Sequence, residues 1–384
     1  MSLSNVSHYN CPREFNCSNL NLSSFDIGTS PTYASIVTSS LSCVGSLLIL
    51  LAYWILKEMR TTAQKIITLL SITDLLTAAG YLLAAWNFLA HFNEMDKTEC
   101  DTFKTVCEVQ SFITTWSTLC SFGWTVALAL HFYLVVRVCK QEHISKLLII
   151  ENIVIWSLPT VIVVSLLATK SLGYTRYATS NWCYVTDTKY PSSDLQDNGV
   201  TIVLMLVAGN LWEILSYIAV IALYTLTRRE YANKIRARAD NQNHPGVERR
   251  LLLIPIVFIL LRMWGTIQFF FSIATSDLNQ EGCVPSWVAA VYHVLGILQA
   301  IGDGGQGWGN ALLYIFLSST MRHELFCSAC ERMVLCPDKN DRTTIANYSS
   351  SAVNISWRTN EKKPLLKNKS ATSSKNIRYT ESRP

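Results

Sequence analysis

The sequence predicts an all-α fold: a seven-transmembrane helix bundle followed by a short amphipathic cytoplasmic helix. Three observations carry this. Half of the 384 residues are hydrophobic and only 15% are charged, a balance foreign to a soluble surface. The apolar residues come in long runs rather than stripes, and the basic residues cluster in alternate connections between those runs. Helices and closed barrels alone satisfy their backbone inside a bilayer, and runs of this length select helices.

The runs cover 33–56, 66–91, 106–138, 147–169, 200–227, 251–274 and 287–317. Each is long enough to cross a ~30 Å hydrocarbon core at about 1.5 Å per residue. The third and seventh exceed that need, so tilt or extension beyond the core is expected. Lys57, Arg60 and Lys65 follow the first run, and Arg137, Lys140 and Lys146 follow the third. Arg228, Arg229, Lys234, Arg236, Arg238, Arg249 and Arg250 lie between the fifth and sixth. The opposite connections carry only Lys97, Lys104, Lys170, Arg176 and Lys189, which places the amino terminus outside and the carboxyl terminus inside. The net charge of +5 then belongs to loops facing anionic lipid, not to nucleic-acid binding.

Residues 1–32 read as an extracellular segment with no apolar leader core, so the first span is expected to serve as its own insertion signal. Asn5, Asn16 and Asn21 each open an Asn-x-Ser acceptor pattern there, and topology favours their glycosylation over Asn347, Asn354 and Asn368 in the tail. Residues 33–317 form the predicted seven-transmembrane bundle. Residues 318–336 suit an amphipathic helix on the inner leaflet, with Cys327 and Cys330 as lipidation sites. His323 alone, at poor spacing, does not complete a zinc site with them. Residues 337–384, rich in Ser, Thr, Asn and Lys, read as a disordered cytoplasmic tail open to kinases.

Cys11, Cys17, Cys100, Cys107, Cys183 and Cys283 fall on the outer side, where disulfides persist. A Cys107–Cys183 bridge is expected, pinning the loop after the fourth span over the bundle mouth. Free thiols are the alternative, and the partners of the other four stay open.

The sixth run carries two notable residues. Pro255 removes a backbone hydrogen bond and makes this helix the expected hinge, while Arg262 falls near mid-membrane, where an unpaired charge is costly. Asp74, His131, Glu213, His293 and Asp303 are further ionisable residues inside spans. Asp74, His131, Glu213, Arg262 and Asp303 are expected to form an intramembrane polar network. Depth counting pairs Glu213 with Arg262, as a switch or as a static packing contact.

Leu251 to Pro255, Gln306 to Leu317 and Trp156 to Pro159 resemble the sixth, seventh and fourth spans of secretin, adhesion and cyclic-AMP-receptor-like G-protein-coupled receptors. The Asp-Arg-Tyr and Asn-Pro-x-x-Tyr signatures of rhodopsin-like receptors are missing, the third span ending His131-Phe-Tyr-Leu-Val-Val-Arg137. Phe122 to Leu130 and Gly209 to Tyr217 sharpen the likeness, from which Asp303 departs as an acidic residue where related receptors read as neutral. The resemblance implies a plasma-membrane receptor with an unknown extracellular ligand and a heterotrimeric G protein as inner partner. Arg228, Arg229, Arg236, Arg238, Arg249 and Arg250, which border the hinge, are the expected G-protein contacts. A transporter or channel with a buried charged pathway is the competing class, but no repeated half supports it. A retinal protein needs a lysine in 287–317, which has none, and no nucleophile–base or metal spacing points to an enzyme, metal or cofactor.

Overall fold

Small polar residues stand beside large apolar ones in the interior of this molecule. The computed structural model describes residues 29–56, 61–90, 97–137, 141–174, 182–186, 195–237, 254–275 and 286–316. Helices α1 (Ser30–Ile55), α2 (Thr62–Ala90), α3 (Lys97–Arg137) and α4 (Gln141–Ala168) come first. A two-stranded antiparallel ribbon follows, β1 (Leu172–Gly173) pairing with β2 (Tyr184–Val185). Helix α5 (Leu195–Met205) passes through a π turn at Leu206–Asn210 into α6 (Leu211–Ala237). Then come α7 (Ile254–Ala274), α8 (Ser286–Gly304), α9 (Gln306–Ala311) and a π turn at Leu312–Phe316.

Among the described residues, six helical segments are long and apolar enough to cross a membrane. The run 287–317 is not a continuous rod. It breaks at Gly305, where the Gly305 amide bonds back to the Gly302 carbonyl instead of completing the α pattern.

Inside-out patterning explains how the helices meet. Tyr33, Val37, Leu41, Val44, Leu47, Leu51 and Trp54 are all exposed on α1, whereas Ser35, Ser39, Ser42 and Ser46 are buried. In water such an apolar face would drive aggregation, whereas in a bilayer it meets lipid chains as apolar as itself. Helix association then depends on close packing and hydrogen bonds, which small residues permit. A Cβ on Gly307 would lie 2.8 Å from the Ser42 carbonyl oxygen, and one on Gly302 would run into the Leu261 carbonyl oxygen. The seventh run therefore touches α1 on one side and α7 on the other at backbone distance. Thr38 Oγ1 donates to the Ala300 carbonyl at 3.0 Å, and Ser42 Oγ donates to that of Gly304.

Helix α3 runs through the centre of the bundle. Thr77 and Ser117 join it to α2 by a 2.7 Å hydroxyl contact. Trp116 donates to Thr160 Oγ1 at 2.9 Å and packs on Trp156, joining it to α4. Buried Trp124, Leu128, Ile66, Ile67 and Leu70 close the apolar part of this core.

Pro255, the expected hinge, is the second described residue of α7, and Leu251, whose carbonyl its missing amide would have met, lies outside the described residues.

Candidate functional site

Three consecutive residues lock a lid over one end of the bundle. Trp182 packs against Tyr81 of α2, with ring centroids 4.9 Å apart. Cys183 forms a disulfide with Cys107 of α3, the Cα atoms 5.4 Å apart, and its amide donates to Gln110 Oε1 at 3.0 Å. Tyr184 reaches the π turn of the fifth span, donating its hydroxyl to the Met205 carbonyl at 3.0 Å.

That turn is built to receive it. A π turn widens the helix and frees carbonyls from the regular ladder, and side chains take them over here. Asn210 Nδ2 also donates to the Met205 carbonyl, and Trp212 Nε1 donates to that of Val207. Gly209 leaves the space, since a Cβ there would meet the Tyr184 hydroxyl at 2.6 Å. Burial pushes the Tyr184 phenol above its ordinary range, so it stays a neutral donor.

Beneath the lid lies a cavity of about 80 Å³, room for several waters or one small ligand. Tyr81, Trp182, Phe122, Glu213, Arg262 and Asp303 are among its lining residues. Arg262 lies over the Phe122 ring, 5.3 Å from its centroid. Its Nη1 donates to Asp303 Oδ1 at 3.4 Å, and its Nε donates to Gln306 Oε1 at 3.1 Å.

From there a chain of hydrogen bonds leaves the cavity for the bundle interior. Gln306 Nε2 donates to Ser121 Oγ at 3.1 Å, and Ser121 Oγ donates to Asp74 Oδ1 at 2.9 Å. Asn310 Nδ2 donates to Asp74 Oδ2 at 2.8 Å. Asp303, Arg262, Gln306, Ser121, Asp74 and Asn310 thus form one spine across α2, α3, α7, α8 and α9. Burying charge is tolerable here because the carboxylates and the guanidinium meet partners.

Two of the expected network residues stand elsewhere. Glu213 does not pair directly with Arg262: its Oε1 accepts from the Tyr217 hydroxyl at 2.8 Å, and Thr266 stands beside it. Arg262 instead takes Asp303, which lies on the next helix and closer in rotation. Depth counting supplies position along a helix but not around it, so it could not choose between the two carboxylates. Glu213 still lines the same cavity as Arg262.

His131 lies outside the spine. It meets Glu151 of α4 at 2.9 Å, a pair between α3 and α4. Glu151, Gln306, Ser121 and Asn310 are the residues that reading the sequence missed. Glu151 had a legible signal, a carboxylate inside an apolar run; the other three are neutral polar residues of a kind common in membrane helices.

Of the remaining expected sites, Arg228 and Arg229 lie on α6, where Arg228 meets the Tyr224 hydroxyl at 3.3 Å. Arg236 is in the same helix. Asn5, Asn16, Asn21, Arg238, Arg249, Arg250, Cys327 and Cys330 lie outside the described residues.

Comparison with known proteins agrees with this architecture. A family model described as slime mold cyclic AMP receptor matches residues 26–322. The mouse G-protein coupled receptor 157 is 28% identical over 313 residues, covering 77% of this chain and 86% of that receptor. The human G-protein coupled receptor 157 is 29% identical over 304 residues, covering 76% of this chain and 82% of its own. The matched stretch holds the lid, the cavity and the whole spine, and the chain belongs to the slime mold cyclic AMP receptor family, within the G-protein-coupled class of receptors.

Proposed function

We propose that this chain is a cell-surface receptor that takes an extracellular ligand into the cavity under the lid and signals to heterotrimeric G proteins by movement of α7. The observation that carries the reading is the position of Arg262, which belongs at once to the cavity wall and to the spine. A group that binds in the cavity and competes for Arg262 alters what ties α7 to α8 and α9. Differential contact of this kind is what a ligand needs to shift a conformational equilibrium.

In this reading the chain crosses the plasma membrane seven times, with 287–317 completing the bundle. Residues 1–32 are extracellular and carry glycans at Asn5, Asn16 and Asn21. Residues 318–336 lie as a helix on the inner leaflet, anchored through Cys327 and Cys330, and 337–384 form the cytoplasmic tail. Pro255 serves as the inner hinge of α7. Arg228, Arg229, Arg236, Arg238, Arg249 and Arg250 form the basic surface that meets Gα, and the chain acts as a receptor, not an enzyme. The family's name refers to cyclic AMP, but two carboxylates and one guanidinium line this cavity, a poor match to an anionic nucleotide.

The test is Gα recruitment in cells that express the chain. Replacing Arg236, Arg238, Arg249 and Arg250 with Gln is expected to reduce recruitment while surface expression persists. Full recruitment by that variant sinks the assignment of the basic surface, and no recruitment of any Gα class by the surface-expressed parent sinks the receptor reading.

A further inference from the structure

The cavity under the lid has a chemical preference that the spine does not consume. Glu213, Asp303 and Arg262 are each more than nine-tenths buried, and all three line it. Asp303 and Gln306 take Nη1 and Nε of Arg262, while its Nη2 has no hydrogen-bond partner. Glu213 makes no ion pair among the described residues; its neighbours are neutral hydroxyls, that of Tyr217, which donates to Oε1, and that of Thr266. Thr115 Oγ1, from the same wall, is also buried without a partner. With all three charged groups ionised, the cavity holds one more negative charge than positive. It therefore presents an unneutralised carboxylate and an unfilled cationic donor, framed by the aromatic rings of Tyr81, Phe122 and Trp182.

We propose that this cavity binds a small organic ammonium ion, its amine seated against Glu213 and a neutral oxygen of the same molecule accepting from Arg262 Nη2. The charge arithmetic excludes the obvious alternatives. An anion would satisfy Nη2 but add a third negative charge beside two buried carboxylates, where repulsion is strong. A neutral alcohol would leave Glu213 without a cation. An ammonium compensates the carboxylate, and aromatic faces favour the same charge. The ligand must be small, because about 80 Å³ admits a few heavy atoms beside the lining groups without moving the disulfide-anchored lid. This inference rests on the cavity being the ligand site of the receptor reading.

Three probes of nearly one size separate the alternatives: ethanolamine, ethylene glycol and glycolate, which present a cation, a neutral diol and an anion. Full-length receptor purified in detergent is heated with each at matched concentration and pH, since a ligand that binds the folded state raises Tm. Ethanolamine is expected to raise Tm, with an apparent affinity at least about tenfold better than glycolate, or roughly 1.4 kcal/mol. Glu213→Gln, which keeps an oxygen for the Tyr217 hydroxyl, is expected to fold and to lose that shift. If Glu213→Gln fails to fold, the parent's ranking of the three probes decides alone. A larger shift with glycolate, equal shifts, no shift with any probe, or an ethanolamine shift that survives in Glu213→Gln overturns the proposal. Binding is read without signalling, so an ethanolamine shift in a receptor that recruits no Gα would keep this inference and sink the receptor reading, while Gα recruitment without amine binding would do the reverse.

Discussion

The lid and the spine are adjacent, yet they are fixed by opposite means. A disulfide, a strand pair, a tryptophan stack and a tyrosine hydrogen bond hold 182–186, each with its own partner on α2, α3, the fifth span or β1. No member of that set offers a second arrangement. Below it, Arg262 faces two carboxylates and bonds one, and its Nη2 goes unused. Stiff cover over a degenerate charge site is a sensible division in a receptor: the lid defines the cavity, and the choice of partner below it is where a ligand can act. Variants that attack the lid should therefore lower stability, and variants that attack the spine should also move the balance between states.

The largest expected effect comes from cutting the lid's covalent tie. Cys107 and Cys183 are separated by 76 residues in sequence, and closing a loop of that size stabilises by about 4 kcal/mol on the chain-entropy account. Cys107→Ser is expected to lower surface expression strongly and to depress Tm in detergent. Unchanged expression together with unchanged Tm would contradict a lid anchored at this bond.

Next comes the spine. Asp303→Asn removes the carboxylate that meets Arg262 and leaves a buried guanidinium short of a counter-charge, a loss of about 3 kcal/mol for a buried pair. Here the comparison makes a sharper demand than lost stability, because Glu213 borders the same cavity. Arg262 is expected to turn to Glu213, so basal Gα recruitment should change in Asp303→Asn and return toward the parent level in Asp303→Asn with Glu213→Gln. Basal recruitment that is the same in all three proteins would mean that Arg262 has no alternative partner.

How much of this was legible in the sequence differs between the two regions. The apolar runs announced the membrane helices because a bilayer sets their length, and Arg262, Asp303, Asp74 and Glu213 stood out because charge is rare in such runs. Their pairing did not follow, since it depends on helix rotation. One added residue in a π turn rotates everything after it by about 100°, and Leu206–Asn210 lies just before Glu213. No apolar pattern marks such a turn. The stripe of Ser39, Ser42 and Ser46 against Gly304 and Gly307 was equally silent, because small residues inside a hydrophobic run look like gaps rather than contacts. In the lid, the sequence offered two cysteines at plausible positions, but nothing in it foretold that Tyr184 would reach the fifth span.

The smallest expected effect tests that last contact. Tyr184→Phe removes one of two donors to the Met205 carbonyl, and Asn210 remains, so the loss should be about 1 kcal/mol. Gly209→Ala acts at the same place by another route: its Cβ would lie 2.6 Å from the Tyr184 hydroxyl, while the nearest ring carbons are at 3.6 and 4.0 Å. Alone it should cost roughly 1 to 3 kcal/mol, as the tyrosine is forced from the π turn. In the double variant the oxygen that blocks the new methyl is gone, and the ring carbons stand at ordinary contact distance. Gly209→Ala should therefore be tolerated in the Tyr184→Phe background, and the two costs should fail to add by about 1 kcal/mol or more. Thermal melts of the parent, both single variants and the double variant measure this directly. Additive losses would mean that Tyr184 does not occupy the turn, and the lid would then be fixed at α2, α3 and β1 without the fifth span.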